Sequence, residues 1–335
     1  MLVPERLARA SIFLGVMSKG TFVPRATGFL ASYEEEQFRF DHIITAEHVI
    51  VGICDSGEEL WCRANLTNGD TAEVKIPWDA WRFHPDDKCN TDIAVCPLTF
   101  DLTLPDGSAA SLDHNVVILN GERGMAATSD VIIDKQIGAG EEICIIGLFR
   151  SHYGRQRNIP IVRIGNIAAL SNEPVLTYYK KFMKGYLVEA RSIGGLSGSP
   201  VYVHIPPIRV FDGKISRATG REFYLLGLMH GHFDVADLTH DVVIDDPRRG
   251  EGPSGIHSGI GVVIPVDLIL DVINHPELIA MRKESVARLV QEGAKPDLSQ
   301  EPFPDAGNEP NPQHREDFKR LVGAAAKKRP PSDRT

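Results

Sequence analysis

Three residues whose types can share one reaction stand far apart in the chain. His48 lies in Thr45-Ala46-Glu47-His48-Val49, and Asp92 in Thr91-Asp92-Ile93-Ala94-Val95. Ser197 lies in Gly194-Gly195-Leu196-Ser197-Gly198-Ser199-Pro200. Acyl transfer by serine needs these three roles: a hydroxyl attacks, an imidazole takes and returns the proton, and a carboxylate fixes the tautomer and steadies the imidazolium. The glycines around Ser197 let the backbone take positive φ and turn its N–H groups toward one point. The backbone N–H groups of Gly195 and Ser197 are therefore the expected oxyanion hole. Asp92 opens an apolar run, where a buried carboxylate needs a partner. Asp86 and Asp87 lie in a polar stretch and read as solvated acids. His42, His84, His230 and His232 show no metal-ligand spacing, so no metal site is expected.

The elements that must position these groups have a β texture. Ser11–Val16, Ala26–Ala31, Phe38–Ile44, Leu60–Asn65, Ala72–Ile76 and Ile93–Pro97 are short apolar or alternating runs between turn residues. Asn68-Gly69 between two of them is a hairpin signal. His48 then follows a strand ending near Ile44. Ser11–Val16 reads as an edge strand rather than a signal peptide, and Glu34-Glu35-Glu36 as a solvated hairpin tip. Residues 102–124 look like a connection.

A second β run begins near Asp130 and takes in Glu142–Leu148, Pro160–Leu170, Gly185–Ala190, Pro200–Ile205, Phe223–Met229 and Gly259–Pro265. Phe149–Asn158 and Asp234–His257 read as surface loops near a binding face. After Pro265 the spacing turns helical, with Asp267 as N-cap, a break at His275-Pro276 and a second amphipathic helix up to Gly293. The Pro-rich polar stretch beyond Lys295 reads as disordered. The expected organisation is all-β: an N-terminal barrel and linker over residues 1–128, a C-terminal barrel over 129–275, and a helix with a disordered tail over 276–335.

Composition bounds the function. The chain has 335 residues, is 42% hydrophobic and 24% charged, and carries a net charge of -9. That charge argues against broad nucleic-acid binding, and no apolar run reaches the length of a membrane span. Cys54, Cys62, Cys89, Cys96 and Cys144 have neither zinc nor redox-dithiol spacing, which points to free thiols in a reducing cytoplasm.

The order His, Asp, Ser in the settings TAEHV, TDIAV and GGLSGSP resembles the trypsin-like serine peptidases of the chymotrypsin fold, in their bacterial, disulfide-free branch. Gly140–Gly147, Leu225-Leu226-Gly227-Leu228 and Gly261–Pro265 are similar to further strands of that fold. The resemblance covers residues 10–274. It implies two β-barrels with His48, Asp92 and Ser197 in the cleft between them, and a serine endopeptidase acting on protein or peptide substrates without cofactor or metal. By motif position it puts Arg191 at the floor of the specificity pocket, with His230 and Gly231 as its wall. A cation there favours acidic or polar side chains.

There are departures. Leu196 replaces the acid that pairs with a new N-terminus in zymogen-activated members, and Glu47 replaces a small residue and is expected on the surface. Control is then expected from the ordering of Ile193–Leu196 or the loop 234–257 by an activating protein partner or by substrate. The alternative is a trypsin-fold binding or scaffold protein with weak or no turnover. An α/β-hydrolase is disfavoured, since its order is Ser, acid, His.

Overall fold

The computed structural model describes residues 1–36, 38–86, 90–98, 112–171, 173–177, 182–190, 195–211, 214–217, 222–234 and 257–291. The chain divides into two compact units, Met1–Pro296 and Asp297–Thr335. The second lies outside the described residues, as do the tail read as disordered, the end of the second helix at Gly293, residues 102–111 of the connection and most of the loop 234–257.

The first unit is mostly β, as expected. Its first sheet comprises β1 (Ser11–Ser18), β2 (Thr21–Glu35), β3 (Phe38–Thr45), β4 (Trp61–Asn65), β5 (Thr71–Lys75), β6 (Arg82–Phe83), β7 (Ala94–Pro97) and β8 (Val117–Ile118). The order is β5-β4-β1-β2-β3-β7-β6, with β8 parallel to β2. β1 lies between β4 and β2, so Ser11–Val16 is an interior strand and not the edge its sequence suggests.

The second half supplies β9 (Glu142–Gly147), β10 (Ile161–Ala169), β11 (Val175–Leu176), β12 (Phe182–Met183), β13 (Tyr186–Glu189), β14 (Pro200–His204), β15 (Ile208–Phe211), β16 (Lys214–Arg217), β17 (Phe223–Asp234) and β18 (His257–Pro265). Six of these close a barrel, β10-β13-β18-β17-β14-β9, and two short hairpins stand apart from it.

Helices fill the remaining turns: α1 (Glu5–Ala8), α2 (Glu47–Asp55), α3 (Ser129–Asp134), α4 (Val266–Ile273) and α5 (Pro276–Gln291). Two of them correct the sequence reading. Residues 129–134 are helical rather than the start of a β run, capped by the Thr128 side chain. Asp267 sits inside the first turn of α4 instead of capping it, and its carboxylate accepts the Ser129 N–H and hydroxyl at 3.1 Å each.

Side-chain alternation explains how the two sheets share a seam. A strand sends successive side chains to opposite faces. On β9, Ile143 and Ile145 point into the closed barrel, while Cys144 and Ile146 join the core that also holds Ile12, Leu14, Phe29 and Ile44 of the first sheet. All four β9 residues have no exposure, which is why this strand reads as one unbroken apolar run. Phe13, Phe22 and Leu148 close a third cluster between the two halves.

The C-terminal helices lock onto the first sheet. Arg282 of α5 is buried and bonds Glu35 of β2 through Nε at 2.5 Å, donates to the Ile273 carbonyl, and stacks over the Tyr33 ring at 4.8 Å. Glu34 pairs with Arg123. The acidic hairpin tip is therefore two ion pairs plus the exposed Glu36, and not a wholly solvated turn. No helix among the described residues is long and apolar enough to cross a membrane.

Candidate active site

β3 ends at Thr45 and the chain turns at the buried Ala46 directly into α2. His48 thus stands in the first turn of a helix, which the β-branched run Val49-Ile50-Val51 and Gly52 disguise in the sequence. Val49, Ile50 and Ile53 form the buried face that holds the helix down.

The first N–H groups of a helix have no partner within it and favour an anion. Asp92 supplies one. Its Oδ1 accepts the backbone N–H of His48 at 2.7 Å, and its Oδ2 meets His48 Nδ1 at 2.6 Å. Register brings the carboxylate there, because Thr45 of β3 pairs with Ala94 of β7, two residues beyond Asp92. A carboxylate can only accept, so Nδ1 carries the proton and Nε2 is left as the basic nitrogen. Burial opposes charging of this imidazole, but the Asp92 hydrogen bond, the Asp92 charge and Glu47 outweigh it and raise its pKa above the ordinary 6.5. Glu47 is half-buried, not on the surface as its sequence setting suggests.

The Ser197 turn is tied to both halves of the fold. Gly195 and Gly198 have φ of 104° and 80°, in the left-handed region that favours glycine. Thr27 of β2 is the hub. Its N–H donates to the Ser197 carbonyl at 3.1 Å and its hydroxyl to the Gly195 carbonyl at 2.9 Å. That hydroxyl also accepts the Leu148 N–H, and the Thr27 carbonyl accepts the Thr45 hydroxyl at 2.8 Å. On the other side, Gly198 N–H donates to the Met229 carbonyl, and Met229 N–H to the Ser199 carbonyl, both at 2.8 Å.

Gly198 abuts the chain just before His48, since a Cβ there would lie 2.2 Å from Thr45 Oγ1 and 3.1 Å from Ala46 N. Leu196 is buried in the barrel core, where an acid would have no counter-charge. The N–H groups of Gly195 and Ser197 donate to nothing among the described residues. No hydrogen bond joins the Ser197 hydroxyl to His48 among those residues.

The pocket residues fare differently. Arg191 lies outside the described residues. Gly231 follows an irregularity in the β17 register and has nothing within 4 Å of where a Cβ would stand. His230 turns toward Asp92: its Nδ1 lies 2.5 Å from Oδ2, the oxygen His48 also uses. The two imidazoles meet edge to face, with centroids 5.6 Å apart and an interplanar angle of 85°. Burial pushes the Asp92 carboxyl up, but the hydrogen bonds and charges of His230 and His48 hold it well below the ordinary carboxylate range. Neither this contact of His230 nor the Thr27 hub has a motif in the sequence that marks it.

His48, Asp92 and His230 also make the one group among the described residues that could hold a metal, with ligand atoms within 4.8 Å of one another. The spacing favours hydrogen bonds. Two donors on a tetrahedral zinc with bonds near 2.0–2.1 Å sit about 3.3 Å apart, well beyond the 2.5 and 2.6 Å here.

No family model matches the chain, and no curated protein sequence matches it. Among solved structures, Deg5 is similar over 79% of this chain and 88% of its own, at 14% identity and a TM-score of 0.42. The MamO protease domain from Magnetospirillum magneticum is similar over 79% of this chain and 96% of its own, at 14% identity and a TM-score of 0.41. The HtrA-type protease AlgW, solved with a decapeptide, is similar over 81% of this chain and 66% of its own, at 17% identity and a TM-score of 0.40. At these values the likeness carries no weight for activity, and what the chain does is read from its own side chains.

Proposed function

We propose that the chain is a serine endopeptidase that cleaves peptide bonds through an acyl-enzyme on Ser197. His48 Nε2 takes the hydroxyl proton as Ser197 Oγ attacks the carbonyl carbon. The resulting oxyanion is held by the Gly195 and Ser197 N–H groups, and Asp92 steadies the imidazolium. The proton then passes from His48 to the leaving amine, and water repeats the sequence to release the acid. The observation that carries this reading is the Asp92 carboxylate, which fixes the His48 backbone with one oxygen and Nδ1 with the other. Oxyanion stabilisation of this type lowers a barrier by about 2–4 kcal/mol per donor.

The partner class is a protein or peptide, with no nucleic acid, membrane, metal or cofactor in the reaction. Arg191 and Gly231 remain the proposed pocket residues, and cleavage of a peptide library tests them: preference for Arg at the cut site ends the acidic-pocket reading. A division near residue 128 and an activating protein partner belong to the same proposal. So does a cytoplasmic location, which the free thiols of Cys54, Cys62, Cys96 and Cys144 support.

The alternative, a trypsin-fold binding protein with weak turnover, draws on the absent Ser197–His48 hydrogen bond. Such bonds are often loose without substrate. Stopped-flow hydrolysis of an activated ester separates the two. An acyl-enzyme gives a burst of about one product per chain that His48→Ala abolishes; a binding protein gives none.

A further inference from the structure

We propose that His230 is a positioning residue of this centre, which through its Nδ1–H holds the Asp92 carboxylate in the place from which Asp92 orients His48. The inference deepens the serine-peptidase reading and rests on it. It also replaces the role of pocket wall that the sequence position suggests for His230.

The contacts assign the role. Asp92 receives three hydrogen bonds: Oδ1 from the His48 backbone, and Oδ2 from the ring N–H of His48 and of His230. A carboxylate bonded only to His48, through its backbone N–H and its ring, leaves Oδ2 tied to the one imidazole it must orient, so the two can shift together. One held also from an independent strand cannot shift in this way. That strand is β17, and the residue before His230 is bound to the nucleophile turn through Met229 O and N. The backbone that fixes Ser199 and Gly198 thus also fixes the group that fixes Asp92. The His230 ring, nearly perpendicular to that of His48 with centroids 5.6 Å apart, leaves that imidazole less room to rotate away. Both His230 and Asp92 have side chains only 10% exposed, so water competes poorly for the bond.

The consequence separates positioning from pocket lining. Without His230, the charge on Oδ2 is drawn to one imidazole instead of two. His48 becomes more basic, and the acid limb of the kcat/KM profile moves to higher pH. Among the described residues, the charged groups that act on His48 are Asp92 and Glu47, and neither is changed by the substitution. A residue that only lines a pocket alters KM and side-chain preference and leaves that limb in place.

The test uses the full chain in three forms: wild type, His230→Ala and His230→Asn. The Asn amide nitrogen occupies nearly the place of the ring Nδ1 and keeps a donor there. Fluorophosphonate labelling of wild-type Ser197 comes first. If it fails, the peptidase reading falls, while imidazole NMR still tests the contact. That spectrum of the wild type is expected to show two protected Nδ1–H signals, from His48 and His230. In kinetics, His230→Ala is expected to lose about tenfold in kcat with KM unchanged and to shift the acid limb upward, and His230→Asn to recover most of both. The proposal is overturned if His230→Ala changes KM or preference alone, if Asn is as impaired as Ala, or if the wild type lacks a protected His230 Nδ1–H. Should His230→Ala not fold, the Asn variant and the spectrum decide.

Discussion

Replacing Gly198 by alanine tests how the nucleophile is held. A Cβ at this position would lie 2.2 Å from Thr45 Oγ1 and 2.3 Å from the Thr27 carbonyl oxygen. Ordinary carbon–oxygen contact needs about 1 Å more on each. Thr45 cannot turn aside without giving up its 2.8 Å bond to that same carbonyl. The backbone also holds a φ of 80°, which costs a non-glycine residue roughly 1–2 kcal/mol. Overpacking adds about 1–3 kcal/mol. The cheapest relief is for the turn to retreat about 1 Å from the chain that leads into α2, carrying Ser197 away from His48. A misplacement of that size costs about 10²-fold in rate. The assay is the second-order rate of fluorophosphonate modification, with denaturant unfolding measured alongside. Gly198→Ala is expected to react about 100-fold slower and to be about 2–5 kcal/mol less stable. A folded variant that reacts at the wild-type rate refutes the idea that this contact sets the position of Ser197.

Thr27→Val keeps the shape of the hub and removes its hydroxyl, leaving the Gly195 carbonyl and Leu148 N–H without a partner; the expected loss is about 1–3 kcal/mol per buried group by urea unfolding, with Thr27→Ser close to wild type. Stability is also expected to fall steeply between pH 6.5 and 4. Burial holds His42 and His114 at about 4 in the folded chain against an ordinary 6.5, so both are neutral when folded and charge only on unfolding. Their contribution is complete above pH 6.5 and is lost as pH falls toward 4, with a slope near 1.4 kcal/mol per pH unit for each. His48, raised above 6.5, has the opposite sign and acts at higher pH, and Asp92 acts only below its ordinary value. Unfolding free energies over this window should show the slope halved in His42→Leu; an unchanged slope contradicts the assignment.

Much of the fold was legible because burial leaves a period in the chain. The strands on either side of Asn68-Gly69, the unbroken apolar β9 and the break at His275-Pro276 all follow from local chemistry. What escaped depends on partners far away in sequence. α2 carries a β-like run, and only the packing of Val49, Ile50 and Ile53 beneath the first sheet makes it a helix. β1 reads as an edge because nothing local announces β4 beside it. Glu34 and Glu35 look solvated until Arg123 and Arg282 arrive from 89 and 247 residues away. Within the site, His48, Asp92 and Ser197 stand out through their settings. Thr27 is an ordinary strand residue, and His230 joins Asp92 across 138 residues at an irregularity in β17 that no local pattern signals.

Peptide mapping of the intact chain after fluorophosphonate treatment tests whether Ser197 is the nucleophile and His48 its base. One adduct per chain is expected, on Ser197, formed at a rate that collapses in His48→Ala and Asp92→Asn. An untouched Ser197 in folded protein, or an adduct that forms as fast without the His48 imidazole, contradicts these roles.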